Sequence, residues 1–181
     1  LDDLPENEQR ETSHRDHERA AERVGALGFA VLTFSDTRTP QTDASGAVIR
    51  QLVTEAGHRV VRYAVVPDDA ACVGEALRKA LADGQVDVVV SSGGTGISRR
   101  DCAHRVVSEL LDERLDGFGE LFRFLSFQQI GSAAMLSRAV GGVASGKLVF
   151  AVPGSTAAVR LALQELILPQ VRHLFRELHK E

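Results

Sequence analysis

A three-layer α/β/α fold is predicted for this chain, with a mostly parallel mixed sheet carrying one antiparallel hairpin strand. Three observations predict it. β-branched runs alternate with amphipathic stretches between residues 29 and 101, the pattern of parallel strands joined by right-handed helical crossovers. Turns rich in Gly, Pro, Asp and Ser follow those runs. Two apolar runs nearer the C-terminus are separated by Ser145-Gly146, a hairpin signal.

In chain order, residues 1–25 are dense in Glu, Arg, Asp and His and read as a polar arm, either mobile or a solvated helix at Arg19 to Arg23. Residues 26–181 form the domain. His14 and His17 would share a helix face, but two histidines without further ligands read as plain surface. Phe29-Ala-Val-Leu-Thr-Phe34 reads as the first strand and ends in Ser35-Asp36-Thr37-Arg38. Asp43-Ala44-Ser45-Gly46 opens a helix bearing Val48, Ile49, Leu52 and Val53, stopped at Gly57. Residues 58–66 form a second strand, turned by Pro67-Asp68-Asp69, and the next helix carries Cys72, Val73, Ala76, Leu77, Ala80 and Leu81.

Residues 86–101 organise the rest. Val-Asp-Val-Val-Val reads as a buried parallel strand, Gly93, Gly94 and Gly96 gather around Thr95, and a helix follows from about Cys102. Strand, glycine turn and helix bring backbone N–H groups to an anion at the sheet's C-terminal edge. Arg99 and Arg100 add positive charge and Asp101 a carboxylate, so the loop combines a phosphate cradle with a candidate metal ligand. Taken alone, the turn also fits a tight connection with Asp101 as helix N-cap. The common nucleotide motifs fail. Arg99 stands where a third Rossmann glycine should be, and Gly141, Gly146 and Lys147 are followed by Leu148 rather than Ser or Thr.

Beyond the loop, residues 106–111 read as helical. In residues 116–127, Phe118, Phe122 and Leu125 share helical spacing, for core packing or an oligomer contact. Residues 131–140 hold a short helix, and residues 139–152 the hairpin, whose second arm joins the sheet. Pro153-Gly154-Ser155 is another strand-end turn. A final helix runs from Thr156, interrupted near Pro169, with Leu161, Leu163, Leu166 and Ile167 facing inward.

Composition narrows the function classes. A chain of 181 residues can bury about 70% of its unfolded surface without a disulfide or metal staple. The 25 acidic and 21 basic side chains leave a net charge of -4, which argues against a nucleic-acid or anionic-membrane surface. No apolar run is long enough to span a bilayer, no signal-peptide core is present, and Cys72 and Cys102 make no disulfide framework, so a cytoplasmic protein is expected. Ligands of parallel sheets bind outside the strands' C-terminal ends. That edge should hold Ser35, Asp36, Pro67, Asp68 and the glycine loop.

Val90-Ser-Ser-Gly-Gly-Thr-Gly-Ile-Ser-Arg-Arg-Asp101 resembles the signature of the molybdenum cofactor biosynthesis proteins, which include molybdopterin adenylyltransferase, the protein B group and a domain of gephyrin. Ser35-Asp36-Thr37-Arg38, Asp43-Ala44-Ser45-Gly46, Gly117-Phe118-Gly119-Glu120 and Pro153-Gly154-Ser155 fit the same family. Residues 122–131 with Ser137-Arg138-Ala139 are most like protein B, and the resemblance covers about residues 29–171. It implies a trimer or hexamer, and the reaction of ATP with molybdopterin to give adenylylated molybdopterin and pyrophosphate. Asp68 and Asp101 match the family's catalytic carboxylates and would hold Mg²⁺ through substrate phosphates. Gly93, Gly94, Thr95 and Gly96 match its phosphate loop, with Arg100 added for charge. Ser35, Asp36, Glu120, Ser137, Arg138, Pro153, Gly154 and Ser155 fall in stretches expected to line the pocket.

Asp69 stands beside Asp68, and spacing does not choose between them. Apart from the resemblance, Asp68 reads as a turn residue after Pro67. Two other functions keep the same fold: a molybdopterin or nucleotide binder without efficient transfer, and an oligomeric scaffold by analogy with gephyrin. Two carboxylates and a glycine cradle at one sheet edge argue for chemistry. His58 and His104 lack a ligand pattern and are assigned no metal.

Overall fold

The β-branched runs and amphipathic stretches form β1 (Gly28–Phe34), α1 (Ala44–Glu55), β2 (Arg59–Val66), α2 (Ala70–Ala82), β3 (Val88–Ser92) and α3 (Ala103–Leu110). Then come β4 (Glu113–Arg114), α4 (Asp116–Ile130), a 3₁₀ turn (Gly131–Leu136), β5 (Val140–Ala144), β6 (Lys147–Val152), α5 (Thr156–Leu161), a π-helical segment (Ala162–Ile167) and α6 (Leu168–Leu178). The structure is a computed structural model that describes residues 24–98 and 101–180. The polar arm up to residue 23, with His14 and His17, and the loop arginines Arg99 and Arg100 lie outside the described residues.

One mixed sheet has the order β2–β1–β3–β6–β5–β4. The first four strands pair in parallel, β5 runs antiparallel to β6, and β4 antiparallel to β5. Only β5 therefore runs against the others. The continuous apolar runs have a direct cause: both faces of the sheet are covered. Phe29, Val31, Val88, Val90, Leu148 and Phe150 face a cluster with α1, α4 and the C-terminal helices. Ala30, Leu32, Val89, Val149 and Ala151 alternate to the other face, against Val73 and Leu77 of α2 and Val107 of α3. Each Val, Leu or Phe among them contributes about 1.5–3 kcal/mol when fully buried.

β1 connects to β2 on one side, while β2 connects back past β1 to β3 on the other. The strand order thus reverses between β1 and β3, which opens a crevice at their C-terminal ends. Ser35 and Asp36 follow β1 there, and Gly93 follows β3.

Three details differ from expectation. β4 has two exposed residues, too short to carry a period. The interruption expected near Pro169 is instead a π-helical turn that leads into α6, with Pro169 in its first turn. Proline has no N–H and its ring crowds the carbonyl four residues back, and the widened turn absorbs both without ending the helix. The glycine-loop helix begins at Ala103 with Cys102 as N-cap, so Asp101 does not cap it. The hairpin turns at Ser145 and Gly146 as expected, with φ of 50° and 70°, the left-handed pair of a tight two-residue connection. Among the described residues no helix is long and apolar enough to cross a membrane.

Candidate functional site

The glycine turn sits where three strand ends meet. Gly93 and Gly94 have φ of 92° and 61°, a region that favours glycine. The Gly93 amide donates to Val152 O at 3.1 Å, and a Cβ on Gly93 would overlap Phe34 O. A Cβ on Gly94 would lie 2.5 Å from Ala103 Cβ and 2.6 Å from Asp68 Oδ1. The turn after β6 also comes close, since a Cβ on Gly154 would be 3.1 Å from Gly93 Cα. Pro153, Gly154 and the glycine loop therefore share one place, although they are distant in sequence. Ser155 has a local task, capping α5 by accepting from Ala158 N at 3.2 Å.

Acidic side chains surround this turn. Asp36 Oδ1 accepts from the Asp68 amide at 3.0 Å, which ties the ends of β1 and β2. Asp68 Oδ1 in turn accepts from the Cys102 amide at 3.3 Å and the Cys102 thiol at 3.1 Å. Burial, then the hydrogen bond and charge of Asp68, push that thiol up to about 12, so it stays protonated and donates. Asp69 is occupied elsewhere: its Oδ1 accepts from Ala71 N and Cys72 N and caps α2. Geometry thus separates the two adjacent carboxylates and leaves Asp68 at the turn. Asp101 Oδ2 accepts from Ser98 N at 2.9 Å, and a Cβ on Gly96 would be 2.6 Å from the same oxygen.

Arg138 reaches the turn from beyond the 3₁₀ segment. Its Nη1 donates to Gly96 O at 2.9 Å, and its Nη2 meets His104 Nδ1 at 2.9 Å. Burial, followed by the charges of Arg138, Arg114 and Arg123, holds the His104 imidazole below the ordinary 6.5. Ser137 is buried, and its amide donates to Ala134 O. Glu120 is not brought against the turn. It lines a recess of about 160 Å³ with Arg114, Asp116, Arg123 and Ala139. Ser35 Oγ accepts from Thr37 N and Arg38 N and so shapes its own loop. Thr95 is buried within the turn.

Sequence reasoning missed three participants. Cys102 and His104 carried no motif, because their partners Asp68 and Arg138 are each 34 residues away. The third is Asp43, read from the sequence only as part of a helix opening and a family stretch, and buried at the start of α1. It accepts from Thr33 Oγ1, Tyr63 OH, Ser45 Oγ and Gly46 N at 2.7–3.0 Å. Thr33 also meets Ser92, the last residue of β3, at 3.4 Å, so the network underlies the turn. His58, by contrast, is structural: Nδ1 accepts from Leu27 N at 3.1 Å and the ring packs on Phe29.

A divalent cation fits this donor set in one way. Among the described residues no three His, Cys, Asp or Glu side chains gather to hold a metal. Asp68 accepts both hydrogen bonds at Oδ1, and its Oδ2 accepts none from the described residues. A hard cation held by one or two carboxylates plus substrate phosphates matches that arrangement.

A doubly wound sheet with a glycine turn and carboxylates at its switch point is the layout in which α/β proteins bind ligands beyond the strands' C-terminal ends. Comparison with known proteins narrows the class. The family described as a probable molybdopterin binding domain matches residues 30–173. Molybdenum cofactor biosynthesis protein B of Bacillus cereus is 49% identical over 152 residues, covering 83% of this chain and 90% of that protein. A crystal structure of a molybdenum cofactor biosynthesis protein B superposes with TM-score 0.84 at 48% identity, covering 86% and 98% of the two chains. The tungsten cofactor synthesizing protein MoaB of Pyrococcus furiosus gives 0.78 at 36% identity, with the same coverage. The chain belongs to the molybdopterin-binding family of molybdenum cofactor biosynthesis.

Proposed function

We propose that this protein binds molybdopterin and adenylylates it with Mg-ATP, releasing pyrophosphate. The observation that carries the reading is the convergence of Asp68 and Asp101 on one glycine turn from different strand ends. Both reactants are anions, so the site must align them and offset their charge. An oxygen of molybdopterin's terminal phosphate attacks the α-phosphorus of ATP. The new P–O bond forms as the bond to pyrophosphate breaks, and no protein nucleophile is needed. Backbone N–H groups of Gly94, Thr95 and Gly96 hold phosphate oxygens, Gly93 shapes the turn with its own N–H bonded to Val152 O, and Arg138 adds positive charge at the rim. Arg100 is proposed to add charge in the same way. Ser35, Asp36 and the Pro153-Gly154-Ser155 turn form the neighbouring walls, with buried Ser137 next to Arg138 in the chain and Glu120 in its separate recess. Asp68 and Asp101 would hold Mg²⁺, which offsets triphosphate charge when bound. Single-turnover incubation with ATP labelled at the α-phosphate tests this. Labelled molybdopterin and released pyrophosphate are expected, whereas tight molybdopterin binding with no labelled product would leave binding as the function.

The reading includes a homo-oligomer, a trimer or hexamer, in the cytoplasm. Leu121, Phe124, Phe127, Ile130, Met135 and Leu136 are 53–82% exposed along α4 and the 3₁₀ turn. That is more contiguous apolar surface than a lone domain ordinarily leaves in water. Light scattering should find the assembly at micromolar concentration, and a stable monomer there would refute it. Unpaired Cys72 and Cys102 accord with a reducing compartment.

A further inference from the structure

We propose that His104 is a positioning residue that holds the Arg138 guanidinium across the glycine turn and so sets the shape of the phosphate cradle. The inference rests on the reading of that turn given above. His104 grips the turn twice. Its backbone amide donates to Gly94 O at 3.2 Å, and its ring meets Arg138 at 2.9 Å while Arg138 donates to Gly96 O at 2.9 Å. The carbonyls on both sides of buried Thr95 are therefore engaged. A trans peptide points its N–H opposite to its C=O. Holding the Gly94 and Gly96 carbonyls turns the Thr95 and Ile97 amides the other way, free to meet an anion.

The ring's protonation state follows from its partner. A guanidinium offers only donors, so Nδ1 must accept, and the ring proton sits on Nε2. A protonated ring has no acceptor and would place a fourth cation among Arg138, Arg114 of β4 and Arg123 of α4. Among the described residues these three are the charges that act on the ring, and with burial they favour its neutral form. Below the ordinary value of 6.5 the clamp is therefore expected to open.

Two measurements test this. The first follows the Thr95 and Ile97 amide resonances of the free protein from about pH 7.5 to about pH 5. In the wild type they should shift with the His104 ring. In His104→Asn, whose side-chain oxygen replaces Nδ1 without titrating, they should stay still. The second is calorimetry with Mg-ATP and, separately, molybdopterin at neutral pH. His104→Ala should bind the ligand held by the turn about tenfold more weakly. His104→Asn should bind it as the wild type does and lack the acid loss, with folding checked by circular dichroism. Amides indifferent to the ring, or wild-type affinity in His104→Ala, would overturn the proposal. Amides that follow His104 in a protein that binds neither ligand would support the clamp and sink the proposed function alone.

Discussion

Asp43 and Asp68 are the same residue at the same edge of the sheet, yet their surroundings differ in kind. Asp43 is 3% exposed and accepts from four groups, two at each oxygen. Burial pushes its carboxyl up, but the bonds from Gly46, Thr33, Tyr63 and Ser45 outweigh it and hold the carboxyl below the ordinary 3.8. Asp68 accepts only at Oδ1, from Cys102, and Oδ2 is uncommitted among the described residues. A charge buried without full compensation costs several kcal/mol, so Asp43 persists only because it is saturated. A half-committed carboxylate at a crevice keeps an oxygen for a cation or a substrate. The count of donors, rather than the residue type, separates a saturated carboxylate from one with an oxygen to spare.

The largest expected effect lies on the uncommitted side. Asp68→Asn keeps an acceptor for Cys102 and removes the charge, and Asp101→Asn likewise keeps one for Ser98. Each should lower single-turnover adenylyl transfer by about 10²–10³-fold with circular dichroism unchanged. The double variant should be little worse, since in the proposed role the two would act as one unit. Wild-type transfer in both singles would erase the distinction from Asp43.

Gly94→Val comes next. The added Cβ meets Ala103 and the Asp68 carboxylate at a φ of 61°. It should lower transfer along with about 2 kcal/mol of stability, read from denaturant unfolding. Transfer lost without any stability change would show that the turn is less strained than its geometry demands.

The saturated side should respond in stability alone. Asp43→Asn places an amide against donors and should cost about 2–4 kcal/mol, with transfer per folded molecule near wild type. The pH dependence has a definite sign. Because the folded carboxyl lies below its ordinary 3.8, its stabilisation is present above that value and is lost as pH falls through the folded one. Acid unfolding of the variant should therefore be flatter in that window. Equal slopes would mean that Asp43 is not the anchor.

The smallest effect concerns Cys102, the donor that holds Asp68. At 7% exposure, and with its thiol pushed up to about 12, it should alkylate far more slowly than half-buried Cys72 at about pH 8. Peptide mass spectrometry after iodoacetamide distinguishes them, and comparable rates would show that the thiol is not engaged.

The strands, the helices and the Ser145-Gly146 hairpin were legible in the sequence by itself, because burial on both sheet faces and tight-turn sterics act over a few residues. The glycine turn was legible for the same reason, and its resemblance to a family marked Asp68 and Asp101. Everything that depended on distant partners was decided by the tertiary structure. Asp69 turned toward the α2 amides and Asp68 toward Cys102, a choice that two adjacent identical residues cannot reveal. His104 became an acceptor because the topology brought Arg138 beside it. Asp43 became an anchor because β1, β2 and α1 placed Thr33, Tyr63 and Gly46 around it. β4 carried no period in two residues, and the π turn before Pro169 arose where a helix already packed on the core continued past a missing donor. Local sterics wrote the elements into the chain, while hydrogen-bond partners separated by tens of residues were assigned only when the strand ends came together.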